Sequence, residues 1–129
     1  MLKGSIVALI TPFKDNILNE DVYSKLIHYH LKNGTNGIVP GGTTGESPTL
    51  SHEEHKKIIK IAVKECKGKI PVIAGTGSNS TSEAVELSKF AEEAGSDALL
   101  VVTPYYNKPS QEGLYQHYKK INDNVGIPI

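Results

Sequence analysis

Gly37-Ile38-Val39-Pro40-Gly41-Gly42-Thr43-Thr44-Gly45-Glu46-Ser47-Pro48-Thr49-Leu50-Ser51 is the stretch on which the fold turns. It opens on a short apolar run and closes on a helix-start signal at Ser51. Between them lies a glycine-rich turn, residues 41–47. Glycine carries no side chain, so the backbone turns tightly there and approaches a ligand closely. Thr43 and Thr44 place two short hydroxyls at the bend. In alternating strand/helix proteins, loops at the carboxyl ends of strands are where ligands sit. Taken alone, the stretch reads equally as a plain strand-to-helix turn.

The same punctuation recurs on either side. Upstream, Ile6-Val7-Ala8-Leu9-Ile10 is a continuous apolar run ended by Thr11-Pro12, as expected of a strand buried on both faces. Asn19, Glu20 and Asp21 then start a helix whose apolar positions are Val22, Leu26 and Tyr29, stopped by Asn33-Gly34. Downstream of the glycine turn, Ser51 and Glu54 form a capping box for a helix with Ile58, Ile61 and Ala62 on one face. Ile70-Pro71-Val72-Ile73-Ala74 is the third strand, and Ser80 with Glu83 is a second capping-box candidate. Its helix buries Ala84, Leu87, Ala91 and Ala94. Residues 98–102 are the fourth strand, followed by Tyr105 and Tyr106 between two prolines. Ser110 caps a last helix bearing Leu114, Tyr118 and Ile121.

Strand cores near Ala8, Ile38, Val72, Leu100 and Ile129 recur at the ~30-residue spacing of a βαβ unit. The expected architecture is a parallel sheet with right-handed crossovers. It is either a small open α/β sheet or the first half of a closed (β/α)8 TIM barrel, which needs about 250 residues. Ending on Ile127-Pro128-Ile129 favours the truncated barrel. Residues 1–129 are then the N-terminal half of one domain: four βα units and the start of the fifth strand. Such a half is expected to expose apolar strand edges.

Composition narrows the function. The 129 residues are 38% hydrophobic and 22% charged, with 14 basic and 14 acidic groups and zero net charge. That is a globular chain with no electrostatic footprint for nucleic acid or an anionic membrane. Every basic residue is Lys, so no arginine fork clamps a carboxylate here. The single Cys66 and the short N-terminal apolar run point to a cytoplasmic protein without a signal peptide or membrane span.

Gly75-Thr76-Gly77-Ser78-Asn79-Ser80 half-matches a dinucleotide fingerprint but lacks its last glycine. His52 and His55 are three apart, whereas a helical zinc pair needs four, so a surface helix start is favoured over a metal site. Tyr105 and Tyr106 read as packing or as a hydrogen-bonded proton relay. Lys108 lies in a polar loop, which will not desolvate it enough to lower its pKa for imine formation.

Gly4-Ser5-Ile6-Val7-Ala8-Leu9-Ile10-Thr11-Pro12, Gly42-Thr43-Thr44-Gly45-Glu46-Ser47, Pro71-Val72-Ile73-Ala74-Gly75-Thr76-Gly77 and Thr103-Pro104-Tyr105-Tyr106-Asn107 together resemble the dihydrodipicolinate synthase family. The resemblance runs along essentially the whole chain and covers the first half of such an enzyme. It implies a pyruvate-dependent Schiff-base lyase. A barrel lysine captures pyruvate covalently, and the enamine attacks L-aspartate 4-semialdehyde to give 4-hydroxy-tetrahydrodipicolinate for lysine biosynthesis. No cofactor or metal is implied, and the Schiff-base lysine falls beyond Ile129. The fragment alone is expected to be inactive.

By the same resemblance, Thr43 is a catalytic relay hydroxyl and Thr44 binds the pyruvate carboxylate. Tyr106 is a catalytic tyrosine reaching across a tight dimer interface, in a homo-oligomer built as a dimer of dimers. Ser47, His52, His55, Asn79, Glu83 and Tyr105 match a feedback site for lysine, with Pro48 departing from the small residue expected beside it. The alternatives are another pyruvate aldolase, of the N-acetylneuraminate lyase or keto-deoxy-gluconate aldolase type, or a non-catalytic amino-acid-binding half-barrel.

Overall fold

A computed structural model describes residues 2–129. Four short strands lie parallel, each leading towards a helix. β1 (Ile6–Ala8) is followed by a two-stranded hairpin, β2 (Phe13–Lys14) and β3 (Ile17–Leu18), and by α1 (Glu20–Lys32). β4 (Gly37–Val39) leads through a 3-10 turn, Ser47–Thr49, into α2 (His52–Cys66). β5 (Ile73–Gly75) precedes α3 (Thr81–Ala94), and β6 (Ala98–Leu100) precedes α4 (Gln111–Asn122). β1 pairs with β4 in parallel, with Val7 opposite Ile38, and β5 with β6, with Ala74 opposite Leu99. A single parallel bridge, Ile38 to Val72, joins the two pairs. The chain's end adds one further bond, Leu99 N–H to Pro128 O at 2.9 Å.

Helix starts form where short polar side chains accept the free N–H groups of the first turn. Asn19 accepts from Val22, Ser51 from Glu54, Ser80 from Glu83 and Ser110 from Gly113. The capping box expected at Ser51 and Glu54 is complete. Those hydrogen bonds to Ser51 hold the Glu54 carboxyl below its usual range. The second candidate box is only half made. Glu83 turns its carboxylate away to the Ser78 hydroxyl and to His52, and Ser78 Oγ takes the Ser80 N–H instead.

One core cluster lies under α1 and α2, around Leu9, Tyr23, Ile27, Ile38, Ile58 and Ala62. A second joins α2, α3 and β6 through Ile59, Ala74, Ala91 and Leu99. The α1 face differs from the expected one. Tyr23 and Ile27 are buried, whereas Val22 and Tyr29 are exposed. Val22 and Leu26 share the 3.6-residue period with Tyr29, but the stripe is turned by one residue so that the larger Tyr23 fills the core. Cys66 is buried, and burial pushes its thiol up to about 11, so it is an inert core residue.

Burial on both strand faces holds for β4 and β5 but not for the outer strands. In β1, Ile6 and Ala8 are exposed, and Ile10 just beyond is 51% exposed; in β6, Leu100 is 52% exposed. The flanking strands β1 and β6 therefore carry exposed apolar side chains. The hairpin was not anticipated. Asp15 and Asn16 both take positive φ, 52° and 61°, as a two-residue hairpin turn demands. It buries Leu18 against the first core cluster.

Candidate functional site

The glycine turn folds because nothing larger fits. Gly75 presses on the turn so closely that an added Cβ would lie 2.4 Å from Gly41 O and 2.7 Å from Gly42 N. Gly41 itself takes φ +67°, which L side chains rarely adopt. Inside the turn, Gly45 N–H donates to Gly42 O at 3.0 Å and Glu46 N–H to Thr43 O at 2.9 Å. From the end of β1, the buried Thr11 hydroxyl donates to Gly45 O at 2.7 Å. Thr11 was read only as a strand terminator; its role as a clamp has no local signal, because its partner is 34 residues away.

This packing opens a small, mainly apolar cavity of about 210 Å³ at the carboxyl ends of the strands. Gly41, Gly42 and Thr43 line one side and Gly75, Gly77 and Leu100 the other. Thr43 lines this cavity and is itself exposed to solvent. Thr44 is exposed at the neighbouring position and does not line it. The half-matched dinucleotide fingerprint is accounted for here. Gly75 and Gly77 are small because the backbones of Gly41 and Val102 run against them.

A second cleft, about 280 Å³ and mainly polar, lies on the other side of the turn. Ser47, His52, His55, Asn79, Glu83 and Tyr105 all line it, with Pro48 at its rim. It is assembled by the 3-10 turn, the first turn of α2, the loop from β5 into the start of α3, and the loop after β6 that carries Tyr105. Glu83 is its fixed negative charge, 2.7 Å from His52 Nε2 and hydrogen-bonded to Ser78. Asn79 Oδ1 accepts the Tyr105 N–H at 2.8 Å, which ties the tyrosine loop to the same site. His55 is buried rather than on a surface helix, and its Nε2–H donates to Gly75 O at 2.7 Å. Burial lowers its pKa, so the ring is neutral, with its lone pair on Nδ1. A cleft lined by a carboxylate suits a ligand that brings N–H donors and positive charge.

Tyr106 enters neither cavity and is 92% exposed. Lys108 is exposed, at φ 39°, and so is not desolvated. Ser78, which orients Glu83, and Gly77, which borders both cavities, were not singled out as site residues. Among the described residues, no group of three or more His, Cys, Asp or Glu side chains could hold a metal ion, and no helix is long and apolar enough to cross a membrane.

Parallel strands crossed by helices, with both cavities at the strands' carboxyl ends, define an α/β protein of the kind that carries ligand sites on such loops. The chain belongs to the Dihydrodipicolinate synthetase family, whose model it matches over residues 1–129. It is 70% identical over 129 residues to the 4-hydroxy-tetrahydrodipicolinate synthase of Pelagibacter ubique, covering all of this chain and 44% of that protein. It superposes with a TM-score of 0.96 and 54% identity on the chloride-inhibited dihydrodipicolinate synthase of Acinetobacter baumannii complexed with pyruvate, covering 99% of this chain and 44% of that one. The dihydrodipicolinate synthase of Cyanidioschyzon merolae with lysine bound gives a TM-score of 0.90 at 39% identity, over 95% and 42% of the two chains. The chain thus spans less than half the length of these relatives.

Proposed function

We propose that this chain is the N-terminal half of a single (β/α)8 barrel, comprising four βα units and the start of the fifth strand. The complete polypeptide is a cytoplasmic Schiff-base lyase condensing pyruvate with L-aspartate 4-semialdehyde. The observation that carries the reading is Thr43, held by the glycine turn in a small cavity at the strands' carboxyl ends. The exposed apolar face of β1 and β6 is what the remaining strands would cover. The relative at 70% identity carries the name of this activity.

Thr43 relays a proton through its hydroxyl. Thr44, exposed on the same turn, binds the pyruvate carboxylate with its side chain and backbone. The amine that forms the imine lies beyond residue 129. Tyr106 serves a neighbouring subunit of a dimer of dimers, and its 92% exposure supports that reading: such a side chain awaits a covering surface. The polar cleft takes lysine as a feedback inhibitor, supported by the convergence of Ser47, His52, His55, Asn79, Glu83 and Tyr105 on one site.

Assayed with pyruvate, the complete polypeptide is expected to turn over aspartate semialdehyde and to leave N-acetylneuraminate and keto-deoxy-gluconate untouched. Preference for a sugar acid would assign it to the neighbouring aldolases. Replacing Glu83 by Gln removes the charge facing an ammonium group. Lysine affinity, read by calorimetry, should then fall at least about tenfold, since charged hydrogen bonds contribute about 1.5–3 kcal/mol.

A further inference from the structure

β6 ends at Leu100 and α4 starts at Gln111, and the segment between them carries Tyr106. That segment has almost no structure of its own. Among the described residues, 102–109 make no backbone-to-backbone hydrogen bond. Pro104 and Pro109 have no N–H to give. The path of such a segment is set by side chains that reach it from other elements. Two do so by hydrogen bonds. Asn79 takes the Tyr105 N–H at 2.8 Å. The other is Tyr118, from α4.

Tyr118 grips the root of the segment at two points. Its hydroxyl donates to Val101 O at 3.0 Å, and Thr103 Oγ1 lies 3.1 Å from the same phenolic oxygen. A phenol has one proton to give. With that proton on Val101 O, the Thr103 hydroxyl is the donor in the second bond. One oxygen therefore spans Val101 to Thr103, directly before Pro104-Tyr105-Tyr106.

The hydroxyl is delivered from a firm base. Tyr118 is half-buried, and its ring stands perpendicular to that of His117, with centroids 5.4 Å apart. His117 is buried, and its Nδ1 is hydrogen-bonded to Thr81 Oγ1 at the start of α3, at 2.9 Å. The sequence places Tyr118 on the apolar face of α4. Phenylalanine would fill that face equally well, so packing alone does not call for the hydroxyl. Tyr106 itself is 92% exposed, and its own chain gives it little support beyond this root.

We propose that Tyr118 is a positioning residue that, through Val101 and Thr103, sets where the main chain presents Tyr106. The proposal rests on reading Tyr106 as a catalytic tyrosine in a neighbouring subunit's site. Tyr118 touches no substrate. It fixes the chain at the base of the loop, and a small rotation there becomes a larger displacement at the exposed ring.

The test is a double-mutant cycle on the complete polypeptide, with kcat and the KM for pyruvate measured in the native protein, Tyr118→Phe, Tyr106→Phe and the double variant. Tyr106→Phe should lower kcat by about 10²-fold or more. Tyr118→Phe should lower it by about tenfold, less than the about 10²-fold that a misplacement of about 1 Å can cost, and leave KM within about twofold. The double variant should be no more than about twofold slower than Tyr106→Phe, because a residue acting only through another has nothing left to act on. Native kcat in Tyr118→Phe, with Tyr106→Phe slow, overturns the proposal and leaves the reading of Tyr106 in place. A full second loss in the double variant shows general structural support and also overturns it. Native kcat in Tyr106→Phe overturns the reading of Tyr106, and the proposal with it. If Tyr118→Phe does not fold, Thr103→Val, which removes the other hydroxyl of the pair from an exposed position, decides by the same outcomes.

Discussion

Thr43→Val should lower kcat of the complete polypeptide by about 10²- to 10⁴-fold, the usual contribution of a positioned proton-transfer group. Valine keeps the branched shape and removes only the hydroxyl, so the cavity between the glycine turn and Gly75 stays formed. Thr43 is an exposed loop residue, and stability should move by no more than about 0.5 kcal/mol in urea unfolding. Thr43→Ser, which restores the hydroxyl with one methyl fewer, should recover most of the loss. A Thr43→Val enzyme within tenfold of native would remove this hydroxyl from the chemistry.

Gly75→Ala is expected to be the most damaging single change in the fold. Its Cβ would lie 2.4 Å from Gly41 O, 2.6 Å from Gly41 C and 2.7 Å from Gly42 N, all backbone atoms that no side-chain rotation can clear. Relief requires β5 to move away from the turn, which breaks the Gly75 N–H to Pro40 O bond and the His55 to Gly75 O bond. Overpacking of well-filled sites costs about 1–3 kcal/mol, and losing a buried hydrogen bond adds about 1 kcal/mol or more. The variant should therefore lose about 3 kcal/mol in urea unfolding or fail to fold. Gly34→Ala is the control: its Cβ meets nothing within 4 Å, and only the φ of +78° counts against it, at about 1–2 kcal/mol. Equal losses in the two would show that the contact between Gly75 and the turn is loose.

What the sequence made legible was punctuation. Each helix starts at the serine or asparagine that its local pattern marked, because an N-cap works through a partner two or three residues away. β1 and β6 fall within longer apolar runs, β4 coincides with its run at Gly37–Val39, and β5 starts late in the 70–74 run and ends one residue past it. The convergence of the six cleft residues came through family likeness, since Ser47 and Tyr105 lie too far apart in sequence for spacing to join them. Features set by distant partners stayed hidden. Tyr23 rather than Val22 faces the core because α2 packs there, and Thr11 clamps a turn 34 residues on. His55 looked like a surface residue because its acceptor, Gly75 O, is 20 residues downstream. The Asp15-Asn16 hairpin was readable in principle, since both residues tolerate positive φ, but its strands are only two residues each.

The account turns on a keto acid being cradled by this chain and captured covalently by an amine outside it. Incubation with pyruvate followed by borohydride, with mass spectrometry of the proteolysed protein, addresses that directly. The complete polypeptide should carry one trapped three-carbon adduct on a lysine beyond Ile129, and the 129-residue chain alone should carry none. An adduct on Lys108, or on any other lysine of this chain, would contradict it.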